Sequence, residues 1–132
     1  MHIIELKIIQ EVELVLKSKQ FKTICNASNK GVSHSVIINN RTIVVEPEAP
    51  ISGMTLFEEN GFVLGKEAFT SKEELIKTLL QEIYRLETSN IGKTGKATQE
   101  IVAEETKAAH AFAEKSFFIL LQQMRRNGLE TT

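Results

Sequence analysis

The chain has 132 residues, enough to bury one core and too few for two, and its composition, 42% hydrophobic and 25% charged, is that of a folded domain. A formal net charge of −1 supplies no overall basic field, so any contact with nucleic acid has to come from a local patch. The single cysteine, Cys25, excludes a disulfide scaffold and argues against a cysteine-based zinc site; a small half-buried side chain is the expectation for it.

In chain order, Ile4, Ile8, Val12, Val15 and Leu16 recur at close to helical spacing. They predict one helix within residues 1–20, from Ile3 to Lys17, although Ile and Val lose rotamer freedom there. Glu5, Glu11 and Glu13, with no small-residue cleavage site after them, are unlike a signal peptide. No stretch of the chain approaches the roughly 18 uninterrupted apolar residues of a membrane helix. A cytosol-compatible domain, or the released end of a larger protein, fits these features.

Residues 21–69 are predicted to be β-rich. Val36-Ile37-Ile38, Asn39-Asn40 and Thr42-Ile43-Val44-Val45 read as a hairpin, because asparagine tolerates the left-handed backbone of a tight turn. The imperfect alternation at Val44-Val45 predicts one register irregularity. Pro47 and Pro50 end the second strand. Met54 to Phe57, the turn Glu59-Asn60-Gly61 and Phe62 to Leu64 read as a second hairpin. Thr70-Ser71-Lys72-Glu73 is a helix start, and Leu75, Ile76, Leu79, Leu80, Ile83 and Leu86 form a strong 3.6-residue stripe. Ser89 to Gly95 is predicted to be a loop. A long helix follows from about Thr98 to Arg126, with Arg125 and Arg126 suiting its negative end and Asn127-Gly128 as its stop. The expectation is one α+β domain over residues 1–132. A small antiparallel sheet of two hairpins packs with an N-terminal helix and with the two helices of residues 70–132.

The polar side of the first C-terminal helix holds the candidate chemistry. Gln81, Arg85 and Thr88 lie at i, i+4, i+7, beside a stripe of Thr78, Glu82, Arg85 and Ser89. A solvated helix face explains such a stripe, as does an acid beside an anion clamp. On the long helix, Glu105 stands amid Ile101, Val102, Ala108, Ala109 and Phe112. A carboxylate facing a core needs a partner. Arg85 is the expected one, either as a structural salt bridge or as a guanidinium that Glu105 aims at a ligand.

Other motifs fail on inspection. Gly92-Lys93-Thr94 lacks the glycine of a phosphate-binding loop, since Glu87 stands in its place. Gln81-Glu82…Arg85 lacks both histidines of a zinc protease. His2, His34 and His110 are scattered, and His110 is expected to be packed or solvent-facing.

Two segments together resemble a known family. The first is the run from Gly61-Phe62-Val63-Leu64-Gly65 through Thr78-Leu79-Leu80-Gln81-Glu82-Ile83-Tyr84-Arg85-Leu86-Glu87-Thr88-Ser89. The second is Glu104-Glu105-Thr106-Lys107-Ala108-Ala109-His110-Ala111-Phe112-Ala113. Over about residues 30–120 the chain resembles the C-terminal toxin modules of bacterial polymorphic toxins of the RHS, WapA and contact-dependent inhibition types. Their helix motif reads His-Glu-x-x-Arg-Leu-x-Thr-Ser, and Gln81 stands where the histidine would be. The resemblance implies a metal-independent ribonuclease, acting on tRNA or another RNA, without cofactor. It would be secreted as part of a larger toxin, act in the target-cell cytoplasm and be covered by a cognate immunity protein. In those roles Arg85 holds phosphate, Thr88 and Ser89 hydrogen-bond its oxygens, and Glu82 orients the residue at position 81. Glutamine cannot exchange a proton there, so either this copy is inactivated, naturally or deliberately, or the activity does not need that proton transfer. The competing expectation is a non-catalytic binding module: an immunity protein, a phage inhibitor or an adaptor.

Overall fold

The computed structural model describes residues His2 to Gly128. Helix α1 (Ile3–Lys17) opens with a capping box: His2 Nδ1 accepts from the Ile4 amide, and Glu5 accepts from the His2 amide, each at 3.2 Å. It stops at Ser18, whose hydroxyl donates to the Val15 carbonyl at 2.7 Å and accepts from the Phe21 amide at 3.3 Å. One serine thus ends α1 and starts a second helix, α2 (Lys19–Asn29). The N-terminal region is therefore two helices instead of one, and the β-rich part begins at His34 instead of residue 21. The Asn and Ser residues of α2 are weak helix formers, but burial of Ile24 and Ala27 outweighs propensity. Cys25 is half-buried, as expected.

Strands β1 (His34–Ile38) and β2 (Arg41–Glu46) form the expected hairpin, with Asn39 and Asn40 both at positive φ. Pairing runs one-for-one from His34–Val45 to Ile38–Arg41, so the predicted irregularity at Val44-Val45 is absent. Arg41, Ile43 and Val45 point inward, and Thr42 and Val44 are only half-buried. Strands β3 (Gly53–Leu56) and β4 (Gly61–Gly65) form the second hairpin around a 3₁₀ turn at Phe57–Glu59 and left-handed Asn60.

The α+β class holds, but the sheet is mixed instead of antiparallel. Its order is β1-β2-β4-β3, and β2 and β4 run parallel, Ile43 opposite Phe62. The two hairpins do not lie side by side as a meander. The last strand slips between β2 and β3. Strand character explains the placement. All five residues of β4 are buried, and a continuous apolar run belongs in a sheet centre. Strand β3, with Met54 exposed, suits an edge. The insertion is tight at both ends. A Cβ on Gly61 would lie 2.0 Å from the Thr42 carbonyl oxygen, and one on Gly65 would lie 2.2 Å from that of Ile51.

A 3₁₀ turn at Lys66–Phe69 leads to α3 (Lys72–Thr88), capped by Ser71, whose hydroxyl accepts from the Glu74 amide at 3.0 Å. The expected loop after it contains one helical turn, α4 (Ile91–Thr94), closed by left-handed Gly95. Helix α5 (Gln99–Arg126) then runs back along α3. Helix α3 is the middle of the structure: it packs on α5, on α1 and on β3 and β4. Ile76, Leu79, Leu80 and Ile83 join Ile8, Val12, Phe62, Leu64 and Leu120 in one apolar cluster. Among the described residues no helix is long and apolar enough to cross a membrane.

A guanidinium is buried beside this core. The Arg41 side chain is 8% exposed. Its Nε and Nη2 donate to the two oxygens of Glu11 of α1, at 2.5 and 3.0 Å. Its Nη1 donates to Asn60 Oδ1 at 2.7 Å, and Glu87 of α3 lies 3.2 Å from Nη2. Burial works against the charge, but the two carboxylates outweigh it and raise the guanidinium's pKa.

Two stability outcomes follow from these contacts. Arg41→Ala strands Glu11 in a partly buried site and should cost about 3–5 kcal/mol in urea or thermal unfolding. Gly61→Ala should cost at least about 1–3 kcal/mol, because the methyl group meets backbone that cannot move aside.

Candidate functional site

Helices α3 and α5 are antiparallel, and a polar seam runs between them. Each step of one turn along α3 meets a step of one turn along α5. Lys77 Nζ bonds Glu114 at 3.0 Å, Gln81 Nε2 lies 3.4 Å from His110 Nδ1, and Arg85 Nη2 donates to Thr106 Oγ1. At the end of α3, the Ser89 hydroxyl donates to Glu105 Oε1 at 2.5 Å, and the Asn90 amide donates to Glu105 Oε2 at 3.1 Å. Beneath the seam Tyr84 stacks on Phe112 with ring centroids 4.6 Å apart.

The expected Arg85–Glu105 pair is therefore not formed. Glu105 is half-buried and spends both oxygens on the chain leaving α3, while Arg85 turns to Thr106 and to Glu82, whose Oε2 is 3.9 Å from its Nη1. The reason is register. Position 106, not 105, falls opposite position 85, and the predicted apolar face around Glu105 is only partly buried, with Val102 43% exposed.

Glu82 is the most enclosed of the predicted site residues, 2% exposed. The hydroxyl of Thr55, on edge strand β3, donates to its Oε1 at 2.6 Å. Burial pushes its carboxyl above the ordinary 4.5; the Thr55 hydrogen bond and the positive charge of Arg85 pull only part of the way back.

Two open depressions meet at Arg85 and Glu105. One, of about 370 Å³, is lined also by Tyr84, Thr88, Ser89, Asn90 and Ile101. The other, of about 360 Å³, is walled by Thr55, Met54, Phe57, Ile91 and Val102. The structure thus brings Arg85, Thr88, Ser89 and Glu105 to one concavity, with Glu82 behind Arg85. Gln81 stands one turn further along α3, on the seam. Thr88 donates to the Tyr84 carbonyl at 2.7 Å, within its own helix. Thr55, Thr106 and His110 also belong to this cluster, and sequence reasoning passed over their part in it. The signal for Thr106 and His110 was their four-residue spacing, which matches that of Gln81 and Arg85; Thr55, on a distant strand, gave none.

In chemical terms the cluster offers a guanidinium at a concave surface, a buried carboxyl that orients it, and an imidazole one turn away. Compared with protein-family models, curated proteins and solved structures, the chain matches none.

Glu82 makes stability depend on pH. Its folded pKa lies above the unfolded value, so protonation favours the fold. That contribution is complete below about pH 4.5 and is lost as pH rises through the elevated folded value. Glu82→Gln, which keeps an oxygen for Thr55, should therefore raise the Tm by several degrees at pH 7. Thermal melts of the two proteins should converge near pH 4.

Proposed function

We propose that this chain is the RNA-cleaving C-terminal domain of a bacterial polymorphic toxin, with its acid–base position occupied by an inert Gln81. The observation that carries the reading is the placing of Arg85 at the wall shared by two depressions, beside Thr88 and Ser89 of the same helix motif. Cleavage of RNA without metal needs a cation for the negative charge that builds on the phosphorane, a base for the 2′-hydroxyl and an acid for the leaving oxygen. Arg85 supplies the first. Its guanidinium is held by Glu82 and Thr106, so it does not have to be ordered when phosphate arrives. Ser89 and Thr88 stand near enough to the same concavity to bond phosphate oxygens once their present partners yield. In this reading the domain is delivered by a larger secreted toxin, meets RNA in the target-cell cytoplasm, and is covered by a cognate immunity protein.

A second reading is a non-catalytic binding module, such as an immunity protein, a phage inhibitor or an adaptor. It is favoured by the way Ser89, Glu105, Thr106 and Arg85 already satisfy one another.

Gln81→His separates the two. The chain as it stands should be nearly inert toward total RNA and tRNA in EDTA. The histidine variant should gain cleavage on the scale of general acid–base catalysis, about 10²–10⁴-fold, and should be toxic when expressed in bacteria. Adding Arg85→Ala to that variant should remove most of the gain. A folded Gln81→His protein that leaves RNA intact would favour the binding module.

A further inference from the structure

We infer that His110 is the second proton-transfer group of this site, paired across the α3–α5 seam with the residue at position 81. The inference rests on the ribonuclease reading and deepens it.

Three rungs of the seam have distinct characters. Lys77–Glu114 is an ion pair and Arg85–Thr106 is a charge-assisted hydrogen bond. Gln81–His110 alone joins a neutral amide to an imidazole, at 3.4 Å, on the exposed side of the helices. Arg85 is one turn beyond Gln81, and Thr106 one turn before His110. A phosphate on Arg85 thus lies about 5.4 Å along the seam from the imidazole, one helical turn away.

Gln81 accounts for inertness in this arrangement. Its carboxamide neither takes nor gives a proton near neutral pH, and it stands across the seam from His110 Nδ1, 3.4 Å away. The glutamine therefore leaves His110 without a second proton-transfer group beside it.

A histidine at position 81 changes this. Two imidazoles at such a distance resist holding two positive charges, so the working pair carries one proton beyond the two of the neutral rings. One ring is then neutral and serves as base, and the other is cationic and serves as acid. The reaction balances: the 2′-hydroxyl gives its proton to the neutral ring and its oxygen bonds to phosphorus. The bond from phosphorus to the 5′-oxygen breaks, and that oxygen takes the proton of the charged ring. The products are a 2′,3′-cyclic phosphate and a 5′-hydroxyl, and the pair ends with the proton count it began with. The charges around this rung are Glu82, Arg85 and Lys77 from α3, and Lys107 and Glu114 along α5.

The test compares Gln81→His with Gln81→His/His110→Gln on a short RNA in EDTA, across pH, with thermal melts alongside. The single variant should show a bell-shaped pH–rate profile and a cyclic-phosphate product. His110→Gln should lower the rate by about 10²-fold or more and remove one limb of the bell, with the Tm unchanged, because His110 is exposed. Equal rates with both limbs retained would overturn the role of His110 and leave the ribonuclease reading standing. A folded single variant with no cleavage at any pH would overturn both.

Discussion

The fold is organised around a charge largely withdrawn from water. Arg41 sits at the start of β2, on the inward side of the strand, in a position that alternation assigns to the core. A buried guanidinium is tolerable only if its donors are met with good geometry. Here they are met by three separate pieces of the chain: Glu11 of α1, Asn60 of the β3–β4 turn, and Glu87 at the end of α3. A planar fork of fixed directions permits few arrangements of those pieces. The helix pair is thereby located against the sheet, and the turn before β4 is brought to the near end of β2. Slipping β2 by one residue would turn Arg41 outward and Thr42 inward, and all of these bonds would be lost together.

The polar seam between α3 and α5 joins those helices and also borders the depressions at Arg85. Its rungs are internally satisfied, which suits a helix interface. It also ends in a concavity where an anion would meet Arg85 first. Glu82 is the point where the two roles conflict. A carboxyl that holds a guanidinium steady is most useful when ionised, and its burial opposes ionisation. Stability given up at neutral pH to keep a charged group in place is common where a surface has a task beyond folding.

Local signals in the sequence were legible where a few residues determine the outcome. Asn39-Asn40 set a turn with both residues at positive φ, Ser71 capped α3, and the Leu75–Leu86 stripe became its buried face. What could not be read was pairing over distance. Nothing in Gly61–Gly65 says that it will pass β3 and join β2; its apolar run was read only as the second strand of a hairpin. Helix α2 was hidden by polar residues whose cost is met by packing. The motif residues Arg85, Thr88, Ser89 and Glu105 do converge. The partner assigned to Glu105 was wrong because a one-residue shift between two helices cannot be deduced from either alone. In the sequence His110 is one of three scattered histidines, and only the helix register places it against Gln81.

The insertion of β4 also bears on how the molecule assembles. Each hairpin closes through a turn of a few residues and can form on its own within microseconds. The parallel seam that joins them pairs residues about twenty positions apart, Ile43 with Phe62 and Val45 with Leu64. It cannot be zipped outward from either turn, because β3 would have to lie where β4 goes. That parallel pairing closes a longer stretch of chain than either turn does, so more chain entropy is given up before its contacts form.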